Sequence, residues 1–469
     1  MMRMKTVTLL LSCAMLAGCL PERRIVWSPD GSRAAIIASD GLRLCTPGGA
    51  LTDPLPIAAQ RVAWMPDSRR VVCVHTTKAR EWKEIEPLHS PEQRQRIIAA
   101  SDQLRAQLLD FRGDWEKFEP DLHPKATGGM LVAGMLFLRD VKPQGLAEHM
   151  GEKWSDLAKI EAEVAHLQVF SVAQGRPQPG PVVFKSLDSI ECPVASPDNR
   201  FVSFVTFNGH PDGPSKDLVV SPADGSAPPL LAARNVAPAH DWSPDGRSLA
   251  YLYAPLPARE SDDTVVLGAV ATMAVADENG RLLAEPALQQ DRAGILFNPA
   301  ARVVWLADGR LVFSAAEVTL PASARDMPRA WTLFAIDPRA GSTVARILPR
   351  DLLDAVDPGL PVFEFRQDGR EVLLPGPSGR VRRFDLVTGE TIVLNDAVDP
   401  KKEWRSIPVW RGEEACYVVP PGSPLGSPHR SEIVLSRDGK TGRCLSREWP
   451  DAAVREWLLL APETRPADR

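Results

Sequence analysis

The 469-residue chain has three tyrosines beside twelve tryptophans, seven cysteines without a Cys-x-x-Cys pair, and no large excess of charge of either sign. Its 55 basic and 60 acidic side chains leave a net charge of -5, which excludes the basic field that nucleic-acid binding requires. Eight histidines, at 75, 89, 123, 149, 166, 210, 240 and 429, include no His-x-x-x-His pair, so neither a metal nor another cofactor is expected. His240, beside a turn strand, reads as a hydrogen-bonded structural residue. No Gly-x-Ser-x-Gly elbow and no Gly-x-x-x-x-Gly-Lys-Ser/Thr loop occurs, which removes the usual signatures of acyl transfer and phosphate cradling. What the chain does have is proline, 44 residues or about twice the usual share, so short elements separated by many turns are expected.

The first 18 residues read as a secretory signal, with Arg3 and Lys5 at the positive end and a short apolar stretch from Val7 to Leu16. The stretch closes in Leu16-Ala17-Gly18-Cys19, which resembles the bacterial lipobox. That resemblance implies acylation of Cys19 after cleavage before it, with residues 19–23 as a lipidated tether. Leu20 after the cysteine, where aspartate would retain a lipoprotein at the inner membrane, implies the periplasmic face of the outer membrane. The alternative is an ordinary cleaved signal that contains a cysteine. Setting aside Cys13 and Cys19 leaves Cys45, Cys73, Cys192, Cys416 and Cys444, of which Cys416 and Cys444 share one repeat and form a conceivable disulfide.

A phrase recurs along the chain: an aromatic or apolar residue, a short turn with Asp-Gly or a relative, Arg, then an alternating apolar strand. It is Trp27-Ser28-Pro29-Asp30-Gly31 first and Trp242-Ser243-Pro244-Asp245-Gly246-Arg247 at its clearest. Counted by its carboxylate, the phrase returns at Asp30, Asp67, Asp198, Asp245, Asp308, Asp368 and Glu413. Proline presets one turn dihedral, aspartate bonds its own backbone, and Gly or Asn accepts the positive φ that closes the turn. A carboxylate repeated in every unit therefore reads as a structural turn residue, and Trp27, Trp64, Trp242, Trp305, Phe365 and Trp410 read as repeat-core aromatics. Each unit holds about four strands in about 40 to 60 residues, the size of a propeller blade.

The phrase, with a later turn such as Phe384-Asp385-Leu386-Val387-Thr388-Gly389, resembles the WD40-like (PD40) repeats of TolB-type propellers, which also build the propellers of prolyl and dipeptidyl oligopeptidases. The resemblance implies an all-β, approximately seven-bladed β-propeller of four-stranded antiparallel blades, near 24–58, 60–187, 190–235, 237–290, 300–350, 360–397 and 404–449. It leaves no room for the amino-terminal domain of TolB or for a hydrolase domain, and makes 450–469 a closing strand and tail.

The interval from Asp67 to Asp198 is too long for one blade, which predicts an α-helical insertion in blade two over 78–165. Ser90-Pro91-Glu92-Gln93 is a helix start, and Ile97, Leu104, Leu108, Phe111 and Trp115 form one stripe. Leu146, Met150, Trp154, Leu157, Ile160 and Val164 form a second, and the apolar run Met130 to Leu138 between them is too short to cross a bilayer. The module is either a cap over the propeller or a docking site for a partner. With no catalytic residue identified, the expectation is a non-enzymatic, membrane-anchored scaffold that binds an envelope protein or peptide. The alternative is a glycan-binding or glycan-active propeller with acidic residues gathered in the central channel and a polysaccharide partner.

Overall fold

The turn-rich, alternating sequence folds into seven antiparallel sheets, each from consecutive strands. The structure, a computed structural model, describes residues 25–449 apart from 123–127, 174, 211–212, 254–265, 298–301, 317–330, 339–343, 350–351, 353–362, 367, 377–379, 397–407 and 430–431. The signal segment, Cys19, the tether and the tail 450–469 lie outside the described residues.

Blade one comprises β1 (Ile25–Trp27), β2 (Ala34–Ala38) and β3 (Gly41–Cys45). Single bridges from Leu42 to Leu55 and from Cys45 to Leu51 stand where a fourth strand is expected. Blade two is β4 (Ala58–Trp64), β5 (Arg70–Ala79), β6 (Ala162–Ala173) and β7 (Arg176–Ser186), and blade three β8 (Ile190–Ala195), β9 (Phe201–His210), β10 (Gly213–Pro222) and β11 (Leu230–Arg234). Blade four is β12 (Val236–Trp242), β13 (Ser248–Tyr253), β14 (Val266–Ala276) and β15 (Leu282–Phe297), and blade five β16 (Val303–Trp305), β17 (Leu311–Ala316), β18 (Trp331–Ile336) and β19 (Val344–Arg346). Blade six is β20 (Glu364–Phe365), β21 (Glu371–Pro375), β22 (Val381–Asp385) and β23 (Thr391–Asn395), and blade seven β24 (Val409–Arg411), β25 (Glu414–Val419), β26 (Glu432–Ser436) and β27 (Gly442–Cys444). First strands touch first strands of neighbouring blades, from β1 through β4, β8 and β12 to β16 and from β20 through β24 back to β1, so they form the inner ring of a seven-bladed propeller.

Every copy of the phrase is the hairpin between the first and second strands of its blade. In three blades one hydroxyl and one carboxylate build it: Ser28 Oγ donates to Asp30, Ser196 Oγ to Asp198 and Ser243 Oγ to Asp245, each at 2.6 Å. The Asp carboxylate also accepts the N–H two residues on, as from Ser32 at 3.0 Å, Arg69 at 2.8 Å, Arg310 at 2.9 Å and Arg370 at 3.0 Å. Adjacent turns are joined through the residue after the aspartate. Asp30 N–H donates to Ser68 Oγ at 3.2 Å and Asp67 N–H to Asn199 Oδ1 at 2.9 Å, with both acceptors in the left-handed region that Asn tolerates.

The tryptophans tie blades together. Trp64 Nε1 donates to the Val26 carbonyl at 2.8 Å, Trp242 to Val194 at 3.4 Å and Trp410 to Glu364 at 2.9 Å, each reaching the first strand of the preceding blade. Trp305 instead turns its Nε1 to Gly309 of its own hairpin at 3.2 Å, and Phe365, half-buried, has no such donor. Trp27 stands at the seam where blade seven meets blade one. Its buried Nε1 has no hydrogen-bond partner, and the Arg411 guanidinium lies 4.7 Å from its ring.

The insertion leaves β5 and returns on β6, and these strands stay paired up to Ala79 and Ala162. Its helices are α1 (Trp82–Ile85), α2 (Pro91–Asp110), α3 (Gly128–Val141), α4 (Leu146–Met150) and α5 (Trp154–Ala158). Ser90 and Gln93 make the reciprocal cap that the sequence indicates, which fixes the start of α2. Two expectations are corrected here. Phe111 ends α2 in an extended conformation, so the first stripe breaks before Trp115, which lies in a separate 3-10 turn. The second stripe is two short helices interrupted at Gly151, and its last member, Val164, belongs to β6. The apolar run Met130 to Leu138 is the module's central helix, α3, packed along α2.

Candidate functional site

The repeated carboxylates are consumed by their own turns, so attention falls on three acids of the inner strands and on the insertion. Glu191 of β8 is buried and pairs with Lys216 Nζ at 2.8 Å. Glu364 of β20 is buried beneath blade seven, its carbonyl held by Trp410. Asp241 of β12 accepts the Trp305 backbone N–H at 2.7 Å and so joins blades four and five. Burial pushes the Asp241 carboxyl up to about 7, against the pull of the Trp305 and Trp242 N–H groups. Its neighbour His240 is buried with the Ser203 backbone beside its ring. Burial lowers it to about 4, opposed only by the Ser203 backbone, so it is neutral at physiological pH.

The raised Asp241 value makes stability fall as pH rises. Its folded-state pKa lies above the unfolded value, so the folded chain holds the proton more tightly and this contribution is lost between pH 4 and 7. Asp241→Asn keeps an acceptor for Trp305 and removes the charge. Denaturant melts are expected to show a gain of about 4 kcal/mol at pH 8 that vanishes near pH 4; an equal loss at both pH values would contradict this role.

The insertion has two cores. The proximal one joins Ala79, Trp82, Ile85 and Ile97 with Ala133, Leu136 and Phe137 of α3 and Ala162 and Val164 of β6. The distal one gathers Leu104, Leu108, Leu122, Leu131, Leu138 and Leu146. Twenty residues of α2 span about 30 Å and pass from one core to the other, and the distal core is drawn from the insertion alone.

At its neck lies an open cleft of about 840 Å³ lined by Arg80, Trp82, Lys83, Arg139, Asp140, Lys159 and Glu161 among others. Arg139 closes the neck. Its guanidinium reaches Asp140 at 2.7 Å, the Ile160 carbonyl at 3.1 Å, the Ala158 carbonyl at 3.3 Å and the Arg80 carbonyl. Burial works against charge on Asp140, but hydrogen bonds from Arg139 and from the Trp82 N–H at 2.7 Å outweigh it and hold the carboxyl below its usual range. Glu161 pairs with Lys78 at 2.7 Å and Arg80 at 2.8 Å. With its charges matched in this way, the cleft is a joint that fixes the module on its blade.

Among the described residues, Cys45, Cys73 and Cys416 are buried thiols. Cys416 sits in the seam core facing blade one, whereas Cys444, opposite Val434, bonds Glu432 at 3.1 Å on the other face of the sheet, so the conceived disulfide does not form. Burial pushes the Cys45 and Cys73 thiols up to about 12 and Cys416 higher still. Among the described residues no group of three His, Cys, Asp or Glu side chains could hold a metal. Among them, too, no helix is long and apolar enough to cross a membrane.

No protein-family model and no curated protein matches the chain. Solved structures do. TolB of Acinetobacter baumannii is 16% identical over 59% of this chain and 58% of its own, with a TM-score of 0.34. This chain thus spans little more than half of that protein. Hydrazine synthase of Kuenenia stuttgartiensis is 12% identical over 90% of this chain and 97% of its own, at 0.44. An oligogalacturonate lyase in complex with manganese is 14% identical over 79% of this chain and 75% of its own, at 0.39. The chain is a seven-bladed propeller with TolB among the structures similar to it; the assignment rests on its own seven sheets. The expectation of a non-enzyme is overturned: propellers similar to this chain include a lyase and an acylaminoacyl peptidase, so the fold does not set it apart from enzymes.

Proposed function

We propose that this is an exported propeller, lipid-anchored through Cys19 at the periplasmic face of the outer membrane, which binds an envelope protein or peptide through the helical insertion of blade two. The supporting observation is the insertion itself, a module with a distal core of its own, a proximal core shared with β5 and β6, and a neck clamped by Arg139. A loop lengthened into a packed module on a rigid scaffold is a common way to present a binding surface. The lipid anchor is supported by the signal-like start and the Leu16-Ala17-Gly18-Cys19 run. Because β5 and β6 pair up to the neck, replacing residues 78–165 with a short turn is expected to leave a folded protein that fractionates with membranes but no longer crosslinks its partner. Unchanged crosslinks in the replaced protein would contradict the reading.

A further inference from the structure

The distal end of the insertion has a surface that its own core does not account for. Past α2, Phe111, Trp115 and Phe118 form a knot of rings with centroids 5.0, 5.1 and 6.0 Å apart, and His149 of α4 meets Trp115 edge-on at 5.9 Å. Trp115, Phe118, Met150 and Trp154 all pack against the distal core, yet each of them, like Phe111, remains partly exposed. Five large apolar side chains therefore share one end of a small module and keep part of their surface in water. Tryptophan and other aromatics in such clusters dominate binding at interfaces, because each removes a large area from water on docking.

The charge around the knot is mostly acidic. Over the whole insertion acids and bases nearly balance, 16 against 13, but exposed Asp110, Glu119, Glu148 and Glu152 adjoin the knot. None of these four takes part in an ion pair with a described residue, in contrast to the matched carboxylates of the neck. Two exposed cations, Arg112 and Lys117, stand among them and are outnumbered; Arg112 is held by the Leu109 and Phe111 carbonyls at 2.6 and 3.0 Å and lies 3.1 Å from His149 Nε2. Lys153 and Lys159 are both directed at Asp156, at 3.7 and 4.0 Å. An aromatic knot rimmed by unpaired carboxylates favours cationic side chains carried on an apolar backbone, through both Coulomb attraction and the ring faces.

We propose that the knot of Phe111, Trp115 and Phe118, flanked by Met150 and Trp154, docks a basic amphipathic peptide segment of an envelope protein. The inference rests on the insertion being the docking element and adds the chemistry of its partner. The probe is a fluorescein-labelled 14-residue peptide of alternating Lys and Leu, with a Glu/Leu peptide as its opposite, titrated into the full-length protein and read by anisotropy. The Lys peptide is expected to bind and the Glu peptide not. Phe118→Asp is expected to weaken binding at least tenfold, as is the triple variant Glu119→Lys, Glu148→Lys, Glu152→Lys, whose exposed positions leave the fold intact. Binding of the Lys peptide that survives the triple variant unchanged, or no binding at all, overturns the inference. In native membranes, a partner lost on replacing 78–165 but kept by the triple variant overturns the basic-segment inference alone. A partner kept in both overturns the docking reading as well.

Discussion

Trp449→Ala is expected to open the propeller at its seam and to cost about 3–5 kcal/mol, the loss typical of a large aromatic removed from a core. Among the described residues no sheet combines strands from the two ends of the chain, and there blades seven and one meet through side-chain packing. The Trp-to-carbonyl bond that joins other neighbouring blades is missing there, since Trp27 Nε1 is unpartnered. Trp449 supplies the contact from the other direction. It follows a short turn of helix, Leu445–Glu448, lies 6.1 Å from the Trp27 ring, and donates its Nε1 to the Pro47 carbonyl at 3.0 Å, 402 residues away in sequence. The ring also lies flat on Gly49, where a β-carbon would come within 2.4 Å of it. Hydrogen exchange should then rise first in blades one and seven of the variant, while Val387→Ala, at an exposed position, should leave the melt unchanged. A uniform rise across all seven blades would mean that the seam is not the weak joint.

The second large effect is expected at Glu371, where Glu371→Ala should cost about 3–5 kcal/mol by leaving buried Arg383 without a counter-charge. In the blade-six copy of the phrase, Arg366 stands where blades one, three and four have serine. It caps the turn by bonding Asp368 at 2.8 Å, which brings a guanidinium into a site that those three blades fill with a hydroxyl. Buried Glu371 balances it and also takes Arg383, whose Nε lies 2.7 Å away and whose Nη1 reaches the Arg437 carbonyl of blade seven at 2.8 Å. One carboxylate thus holds two cations and a blade contact. Urea melts of Glu371→Ala and Glu371→Leu, Arg383→Met compared at pH 7 test this. The double variant should recover much of the loss, because it removes the unbalanced Arg383 charge and fills the space while Arg366 keeps Asp368, and equal losses in the two would contradict it.

Much of the architecture is legible in the chain because the signals are local. The Pro, Asp and Gly of each turn and the alternation after it are written in about ten consecutive residues, so hairpins and seven blades follow from the repeat. The insertion is legible as a break in that period. What the sequence conceals is set between distant residues. The link from Asp67 to Asn199, the Trp449 closure, and the burial that raises Asp241 while lowering His240 have no local signature. The second helical stripe misleads because Gly151 interrupts it and tertiary pairing with β5 draws Val164 into a strand. The aromatics of the distal end are visible as part of a stripe, but only the early end of α2 shows that Phe111 and Trp115 leave the helix and gather into a knot.

The central claim, that the insertion is the face this protein presents to its partner, is tested most directly by site-specific photocrosslinking in intact cells. A photoreactive p-benzoylphenylalanine is placed at Lys117, beside the knot, or at Val387, exposed on blade six. The account predicts one discrete adduct from position 117, lost in the Glu119→Lys, Glu148→Lys, Glu152→Lys background, and none from position 387. Adducts from position 387 with none from 117 would contradict it and assign binding to the propeller itself.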